Sequence, residues 1–384
     1  MLSQLTRLRK QKRHKEDKQM AISAADVKKL REMSGAGMMD CKKALTETDG
    51  NFDEAMEFLK KKGLATAQKK AGRIAAEGIV TTVVSDDNKT ATIIEVNSET
   101  DFVAKNEVFQ EYVKGLANQI NNGDYADMAA FLAAKSKIDP SATVDDHHKA
   151  MVAKIGENLT IRRFEKVKTD GLVVSYIHAG GKIGVIVDAA GVSASEDVKE
   201  AVKNIAMQIA AMNPQYVSRD DISADELTHI REVITDSTLN DVPSLPVPIL
   251  KPLIEKAVSE KKWSDEDIAI YEEKKDNMKF LFNFLSKEAA ATLAQMALEN
   301  KDEYASNKIF AGTIEGRVSK NLKEICLLDQ PYVKAADGKQ TVAAYLKTVD
   351  ANLKIAKFVR FETGEGLEKK NEDFAAEVAA QMNA

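Results

Sequence analysis

Apolar positions along the chain change period several times, and each change marks an element. Ser23 and Asp26 form a capping pair ahead of Val27 and Leu30, and Gly35-Ala36-Gly37 follows, which predicts a first short helix. A second helix runs from Met38 to Thr48 and is stopped by Asp49-Gly50-Asn51. A third carries Phe52, Ala55, Met56 and Leu59 and ends at Lys61-Lys62-Gly63. Residues 64–77, rich in Ala and Lys, read as a helical connector. From Gly78 the period shortens. Gly78 to Val84, a turn at Asp86-Asp87-Asn88 and Thr90 to Val96 read as a hairpin, and Phe109, Tyr112, Val113, Leu116 and Ile120 then recur at helical intervals. The same order returns at Gly171 to Ile177, a turn at Ala179-Gly180-Gly181, Ile183 to Asp188, and a helix with Val198, Val202, Ile205 and Ile209. A duplicated hairpin-plus-helix unit is the simplest account, giving an α+β core of two related halves. Between the halves, Tyr125 to Ile138 and Asp146 to Lys154 look helical and Leu159 to Val167 reads as a strand.

Residues 227–315 break this pattern. Pro243, Pro246, Pro248 and Pro252 are four of the seven prolines, so the chain after Asn240 is expected to be extended or kinked until a helix from Leu253 to Lys261. Ser264 with Asp267 caps a long helical stretch, in which Phe280, Leu281, Phe282, Phe284 and Leu285 are too many apolar residues for one thin stripe. Val342 to Lys347 reads as a helix, Lys357 to Glu362 returns to the second half of the core, and Glu372 to Ala380 makes a terminal helix.

Composition is that of an ordinary soluble protein long enough for two or three domains: 384 residues, 44% apolar and 30% charged. No apolar run reaches the length of a membrane span and no signal-peptide pattern is present, so a cytoplasmic protein with no membrane association is expected. Cys41 and Cys326 stand apart, with no CxxC or Cys/His cluster, and read as small buried apolar residues. Residues 1–20 hold seven Lys/Arg against two acids, which leaves 48 basic and 58 acidic residues, a net charge of -10, for the rest. An acidic body argues against direct nucleic-acid binding.

Candidate chemistry is sparse. There is no nucleophile elbow, no HExxH and no paired His/Cys arrangement, so no covalent catalysis and no cofactor are expected. His178-Ala179-Gly180-Gly181-Lys182-Ile183-Gly184 fails as a phosphate loop because its glycines sit inside a hairpin and no helix follows a Gly-Lys-Ser/Thr. His147-His148 reads as part of a solvated loop rather than a metal site. The informative stretch is Ile93-Ile94-Glu95-Val96-Asn97-Ser98-Glu99-Thr100-Asp101-Phe102-Val103-Ala104-Lys105, where a β-branched run meets a polar turn and a helix start. Ser98 has N-cap spacing to Asp101, and Phe102 lies outside the apolar stripe of the following helix. On pattern alone Phe102 plugs its own core, because most large aromatics are buried. Met38 and Met39 are adjacent and cannot share one helix face, so at least one is a candidate for an adaptable contact.

Glu95-Val96-Asn97 with Thr100-Asp101-Phe102-Val103-Ala104-Lys105 resembles a signature of the bacterial elongation factor Ts family, the guanine-nucleotide exchange factors of the translational GTPase elongation factor Tu. So do Gly35-Ala36-Gly37-Met38-Met39-Asp40-Cys41-Lys42-Lys43-Ala44-Leu45, Val152-Ala153-Lys154-Ile155-Gly156-Glu157-Asn158 and Arg360-Phe361-Glu362-Thr363-Gly364-Glu365-Gly366, in family order. The resemblance implies elongation factor Tu as partner, GDP-bound or nucleotide-free. It implies that Thr100, Asp101, Phe102 and Val103 dislodge the Mg²⁺ of that GTPase, which turns Phe102 outward. It further implies partner contacts from Arg31, Met38, Met39, Lys42, Ile155, Gly156 and His178, and from Phe374 and Val378 on the terminal helix. Homodimers and dimers of heterodimers both fit the sequence. The competing reading is a non-catalytic adaptor built on the first three helices, which resemble a ubiquitin-associated-type bundle; it leaves the Thr100 to Val103 corner without a role.

The resulting layout is a basic extension over 1–20, a helical bundle over 21–63, the connector 64–77, one core half at 78–168 and the other at 169–226 plus 316–368. An enlarged helical, coiled-coil-like arm is inserted over 227–315, and a docking helix occupies 369–384. The family-like chain begins at Met20, and Lys15-Glu16-Asp17 fits a purine-rich ribosome-binding site encoded just upstream, so the extension is expected to reflect a mis-set start.

Overall fold

The computed structural model describes residues 22–368, a mixture of helices and two small antiparallel sheets arranged in two compact units. One unit takes the chain up to Ala211 and again from Val349; the other is Met212–Thr348. The division falls outside the 227–315 segment marked by the proline-rich pattern. Tyr216 bridges to Cys326, and the backbone N–H groups of Leu327 and Leu328 reach the carbonyls of Tyr216 and Val217, so both flanks of the insertion belong to the helical unit.

The first unit opens with α1 (Ala24–Ser34), α2 (Met38–Glu47) and α3 (Phe52–Lys70). The Ser23/Asp26 capping box is present, and Gly35 ends α1 with φ +65°, the left-handed conformation glycine adopts at little cost. Val27, Leu30, Cys41, Ala44, Leu45 and Ala55 form a small core of the three helices. Contrary to the sequence expectation, α3 does not end at Gly63 but continues to Lys70.

Strands β1 (Glu77–Val84), β2 (Thr90–Ser98) and β3 (Leu159–Lys168) form one sheet in that order, and β4 (Leu172–His178), β5 (Ile183–Ala190) and β6 (Lys354–Glu362) form the other. Each sheet is a hairpin followed, after an intervening helical stretch, by a third strand on the free edge of the middle one, and each carries a register shift between its second and third strands. Between β2 and β3 lie α4 (Asp101–Ala104), α5 (Glu107–Asn121), α6 (Met128–Ala133) and α7 (Val144–Ile155); α8 (Glu196–Met212) follows β5. Helix α3 outlasts Gly63 because it lies along α7, where a Cβ at Gly63 would stand 3.6 Å from that of Ala153. Packing there outweighs glycine's helix penalty of about 1 kcal/mol. His147 and His148 lie on α7, not in a solvated loop. The His148 Nε2–H donates to the Leu159 carbonyl at 2.9 Å and its Nδ1 faces the Tyr112 hydroxyl at 2.8 Å, while burial lowers its pKa.

Strand β2 is buried on both faces, which is why its sequence shows no clean alternation of apolar and polar positions and its polar residues Thr92, Glu95, Asn97 and Ser98 are buried too. Ile94 and Val96 pack on Phe109, Val113 and Leu116 of α5; Ala91 and Ile93 meet Val173, Ile186 and Val359 of the second sheet. Glu95 shares that second face, fully buried. Its carboxylate accepts from Arg162 (2.9 Å), Arg163 (2.6 Å), Asn97 (3.0 Å) and the backbone N–H of Gly364 (2.8 Å). Gly364 sits at φ +73°, with the Ala76 carbonyl 2.1 Å from where a Cβ would be, so no larger residue can close this turn without moving the backbone.

The second unit is helical: α9 (Ala224–Asn240), α10 (Val247–Ser259), α11 (Asp265–Lys274), α12 (Met278–Leu281), α13 (Lys287–Glu299), α14 (Lys301–Ala305), α15 (Lys308–Ile325) and α16 (Val342–Val349). It has its own core, including Leu239, Ile249, Leu253, Trp263, Leu293, Phe310 and Ile314. Helix α10 starts earlier than the prolines suggest. Pro246 stands at its N-cap and Pro248 in its first turn, where no N–H bond is lost, and Pro252 is carried inside because Ile249, Leu250, Leu253, Ile254 and Ala257 are all buried on one face. Ser264 caps α11 as expected, but the helical stretch is broken before α12. Leu281 is buried there, while Phe280 and Phe284 stay exposed.

Burial raises the Glu95 pKa, and the Gly364 N–H, Asn97 and the two arginines more than reverse this, leaving it below its ordinary 4.5. A carboxylate lowered on folding contributes its full stability above the unfolded value and loses it as pH falls through the folded one. Glu95→Gln is therefore expected to cost about 3–5 kcal/mol at neutral pH, because it removes the buried charge on which four donors converge and leaves Arg163 only the Glu365 carboxylate as an ionic partner. Below pH 4.5 its deficit relative to wild type should shrink, measured by denaturant unfolding across pH.

Candidate functional site

The site grows from the end of β2. Glu99 and Thr100 leave the sheet, and Thr100 turns the chain into α4 with extended φ and ψ of −128° and 156°. Ser98 does not cap this helix, as its spacing predicts; it is buried in the strand and its hydroxyl donates to the Thr100 carbonyl at 2.9 Å. Nor does the Thr100 side chain cap it: its hydroxyl donates to Glu157 at 2.7 Å. A turn this short cannot bury every residue. Val103 and Ala104 point inward, 9% and 7% exposed, and join the α5 core, whereas Phe102 is 78% exposed. Phe102 does not plug its own core but faces outward, while Val103, grouped with it by the resemblance, packs among the α5 core residues. Asn106 then caps α5 by accepting the Phe109 N–H.

Asp101 sits at the N-terminus of the turn. The ammonium of Lys105, 2.7 Å away, holds its carboxyl below the usual carboxylate range, and Lys182 adds to the effect, so the corner presents an ionised acid beside an exposed ring. Lys182 belongs to the β4–β5 turn, which is tied to both sheets: Thr363 donates to the carbonyls of Lys182 and Gly181, and the Val80 N–H donates to the Gly181 carbonyl at 2.7 Å. The start of α5, β1 and this turn enclose a groove of about 520 Å³ lined by Ile79, Thr81, Glu107, Glu111, Ile177 and Gly180. His178 stands exposed at the turn, its Nδ1 3.0 Å from the Tyr176 hydroxyl.

On the helical bundle, Met38 and Met39 begin α2 and are 56% and 75% exposed. Arg31 and Lys42 are exposed as well, and Met33, which the sequence reading passed over, adds a further exposed thioether on α1. Its placement late in α1, just before the Gly35 stop, is the signal that could have found it. Ile155 is half-buried at the end of α7, and Gly156 follows in the left-handed conformation with φ +86°, its carbonyl accepting from Lys70 of α3. The bundle is thereby seated against α7, with a cleft of about 480 Å³ lined by Met33, Gly35, Met56, Lys60, Met151 and Lys154. Phe374 and Val378 lie outside the described residues. Among the described residues no helix is long and apolar enough to cross a membrane.

The family model described as Elongation factor TS matches residues 99–365, well over half of the chain. The chain is 42% identical over 365 residues to Elongation factor Ts of Clostridium novyi, covering 94% of this chain and 99% of that protein. It is similar to Elongation factor Ts of Clostridioides difficile at 42% identity, with the same coverage, and to that of Halothermothrix orenii at 40%, covering 95% of this chain and 99% of the relative. A family model that matches well over half of the chain, and relatives at least 40% identical over nearly its full length, show that this chain belongs to the elongation factor Ts family.

Proposed function

We propose that this protein is a cytoplasmic translation factor that binds the GDP complex of elongation factor Tu, displaces its Mg²⁺ and releases GDP so that GTP can enter. It acts by binding and catalyses no covalent step. The observation that carries the reading is Phe102, a large aromatic 78% exposed on a single helical turn whose other apolar residues are buried. An exposed ring held this way breaks no core packing by entering an apolar pocket of a partner.

In this reading Phe102 wedges into the GTPase while the Asp101 carboxylate competes for the groups and waters around the Mg²⁺. Without the ion the diphosphate loses its charge compensation and leaves. Burying one Phe is worth roughly 1.5–3 kcal/mol. Each tenfold in release rate needs about 1.4 kcal/mol. One ring therefore accounts for a modest share of a large acceleration, and the remaining binding is spread over Arg31, Met38, Met39 and Lys42 of the bundle, read as a ubiquitin-associated-like module, over Ile155, Gly156 and His178, and over the terminal segment with Phe374 and Val378. Linkage makes the effect reciprocal, since a factor that weakens GDP binding is itself weakened by GDP.

Fluorescent-GDP release from elongation factor Tu in stopped flow tests the reading. Phe102→Ala should slow release at least tenfold, the equivalent of about 1.4 kcal/mol, with its melting transition within about 0.5 kcal/mol of wild type, as for an exposed side chain. Val103→Ala should do the opposite in stability, costing about 1.5–3 kcal/mol as a buried residue. Unaltered release by Phe102→Ala would refute the wedge. Removing residues 371–384 should weaken binding to the GTPase more than it alters the melting temperature of the chain; the reverse order would make that segment structural.

A further inference from the structure

We propose that Glu157 is the positioning residue of the exchange corner: it holds Thr100, and through it sets the direction in which Phe102 is presented. The inference rests on the wedge reading of Phe102 and adds to it the residue that aims the wedge.

The corner is clasped from both sides. The Glu157 carboxylate accepts the Thr100 backbone N–H on one oxygen at 3.0 Å and the Thr100 hydroxyl on the other at 2.7 Å. In the opposite direction, Glu99 accepts the backbone N–H of Asn158 at 2.5 Å and pairs with Arg73 at 3.4 Å, and the Asn158 side chain donates to the Arg73 carbonyl at 2.8 Å. Adjacent residues at the end of β2 and adjacent residues after α7 thus exchange carboxylate-to-backbone bonds, and hydrogen bonds to a charged acceptor are the stronger kind. Glu99 and its partners fix the end of the strand. Glu157 grips the residue from which the helix starts by both its N–H and its hydroxyl, while Ser98 donates to the carbonyl of the same residue.

That grip matters because α4 cannot hold itself. It is four residues long, has no side-chain cap, and a single turn carries the full cost of helix nucleation without the return of propagation. Its direction comes from outside: from Val103 and Ala104 in the core at one end and from Glu157 at the other. Without Glu157, Thr100 keeps only the Ser98 hydroxyl on its carbonyl, the turn frays from its N-terminus, and Phe102 samples directions that do not fit one pocket. The ordering lost in the free protein must then be restored on the way to the exchange-competent complex. Glu157 follows Gly156, whose carbonyl is bound by Lys70, so the gripping residue is itself anchored to α3.

The test is GDP release from elongation factor Tu measured against factor concentration, for wild type, Phe102→Ala, Glu157→Gln, Glu157→Ala and the double variant Glu157→Ala/Phe102→Ala. Glu157→Ala is expected to lower the maximal release rate roughly tenfold while the half-saturating concentration moves less than about twofold, the pattern of an interaction needed only at the exchange step. Glu157→Gln, which keeps the shape and remains folded if the Ala variant does not, should fall between it and wild type. In the Phe102→Ala background, Glu157→Ala should change the rate less than about twofold, because nothing is left to aim. A wild-type maximal rate for both Glu157 variants, with Phe102→Ala slow, overturns the positioning role and leaves the wedge standing. Full additivity in the double variant also overturns it, by making Glu157 merely structural. A fast Phe102→Ala removes the wedge and this inference together.

Discussion

The carboxylate of Glu95 has no exposure to solvent, and its four donors come from the neighbouring Asn97, from two consecutive arginines of β3 and from the turn after β6. A buried charge is tolerated only when such partners are all in place, since any one missing leaves desolvation uncompensated. Gly364 lies 269 positions beyond Glu95, on the far side of the whole helical unit, so the body of the protein is complete only once the final strand has arrived. The arginines tie the same segment down a second time: Arg162 and Arg163 donate to the carbonyls of Glu365 and Glu362, and the Arg163 guanidinium stacks 4.2 Å over the Phe361 ring. Two of the family-like motifs, one containing Glu95 and the other Gly364, are therefore the two sides of one lock.

That lock fixes the strand from which the Thr100–Val103 corner departs. Between Glu95 and Phe102 the chain passes from a fully buried strand to an exposed ring, and each step has a named restraint: Asn97 on the Glu77 carbonyl, Ser98 on the Thr100 carbonyl, Glu99 on Asn158, Thr100 on Glu157. The corner is a short element on a rigid support, the arrangement in which an exposed aromatic keeps its direction without a core of its own. The second sheet adds the Lys182 charge beside Asp101 and the exposed His178 turn, so the duplication of the hairpin places polar groups of one half next to the corner of the other.

Local chemistry was legible in the sequence wherever a neighbour in the chain decides the outcome. The Ser23/Asp26 box, the Gly35 stop, the turns of both hairpins and the Ser264 cap depend on side chains a few positions away, and all stand in the structure. The repeat of hairpin and helix was visible for the same reason: period two and period 3.6 are written by residues that share a face. The apolar run of β2 announced a buried strand, though not which residue on it carries the buried charge.

Tertiary structure alone decided the rest. Gly63 reads as a helix stop until α7 lies beside it, and Pro252 reads as a break until the buried face of α10 outweighs one lost backbone bond. His147-His148 reads as solvated until Tyr112 and the Leu159 carbonyl take up the ring of His148. Phe102 and Val103, adjacent and both apolar, are indistinguishable by composition; a single turn of helix sends one into the core and the other outward. The grip of Glu157 on Thr100 spans 57 positions and leaves no periodic trace. Burial and long-range hydrogen bonding are properties of what the chain is folded against, and no window of sequence contains that partner.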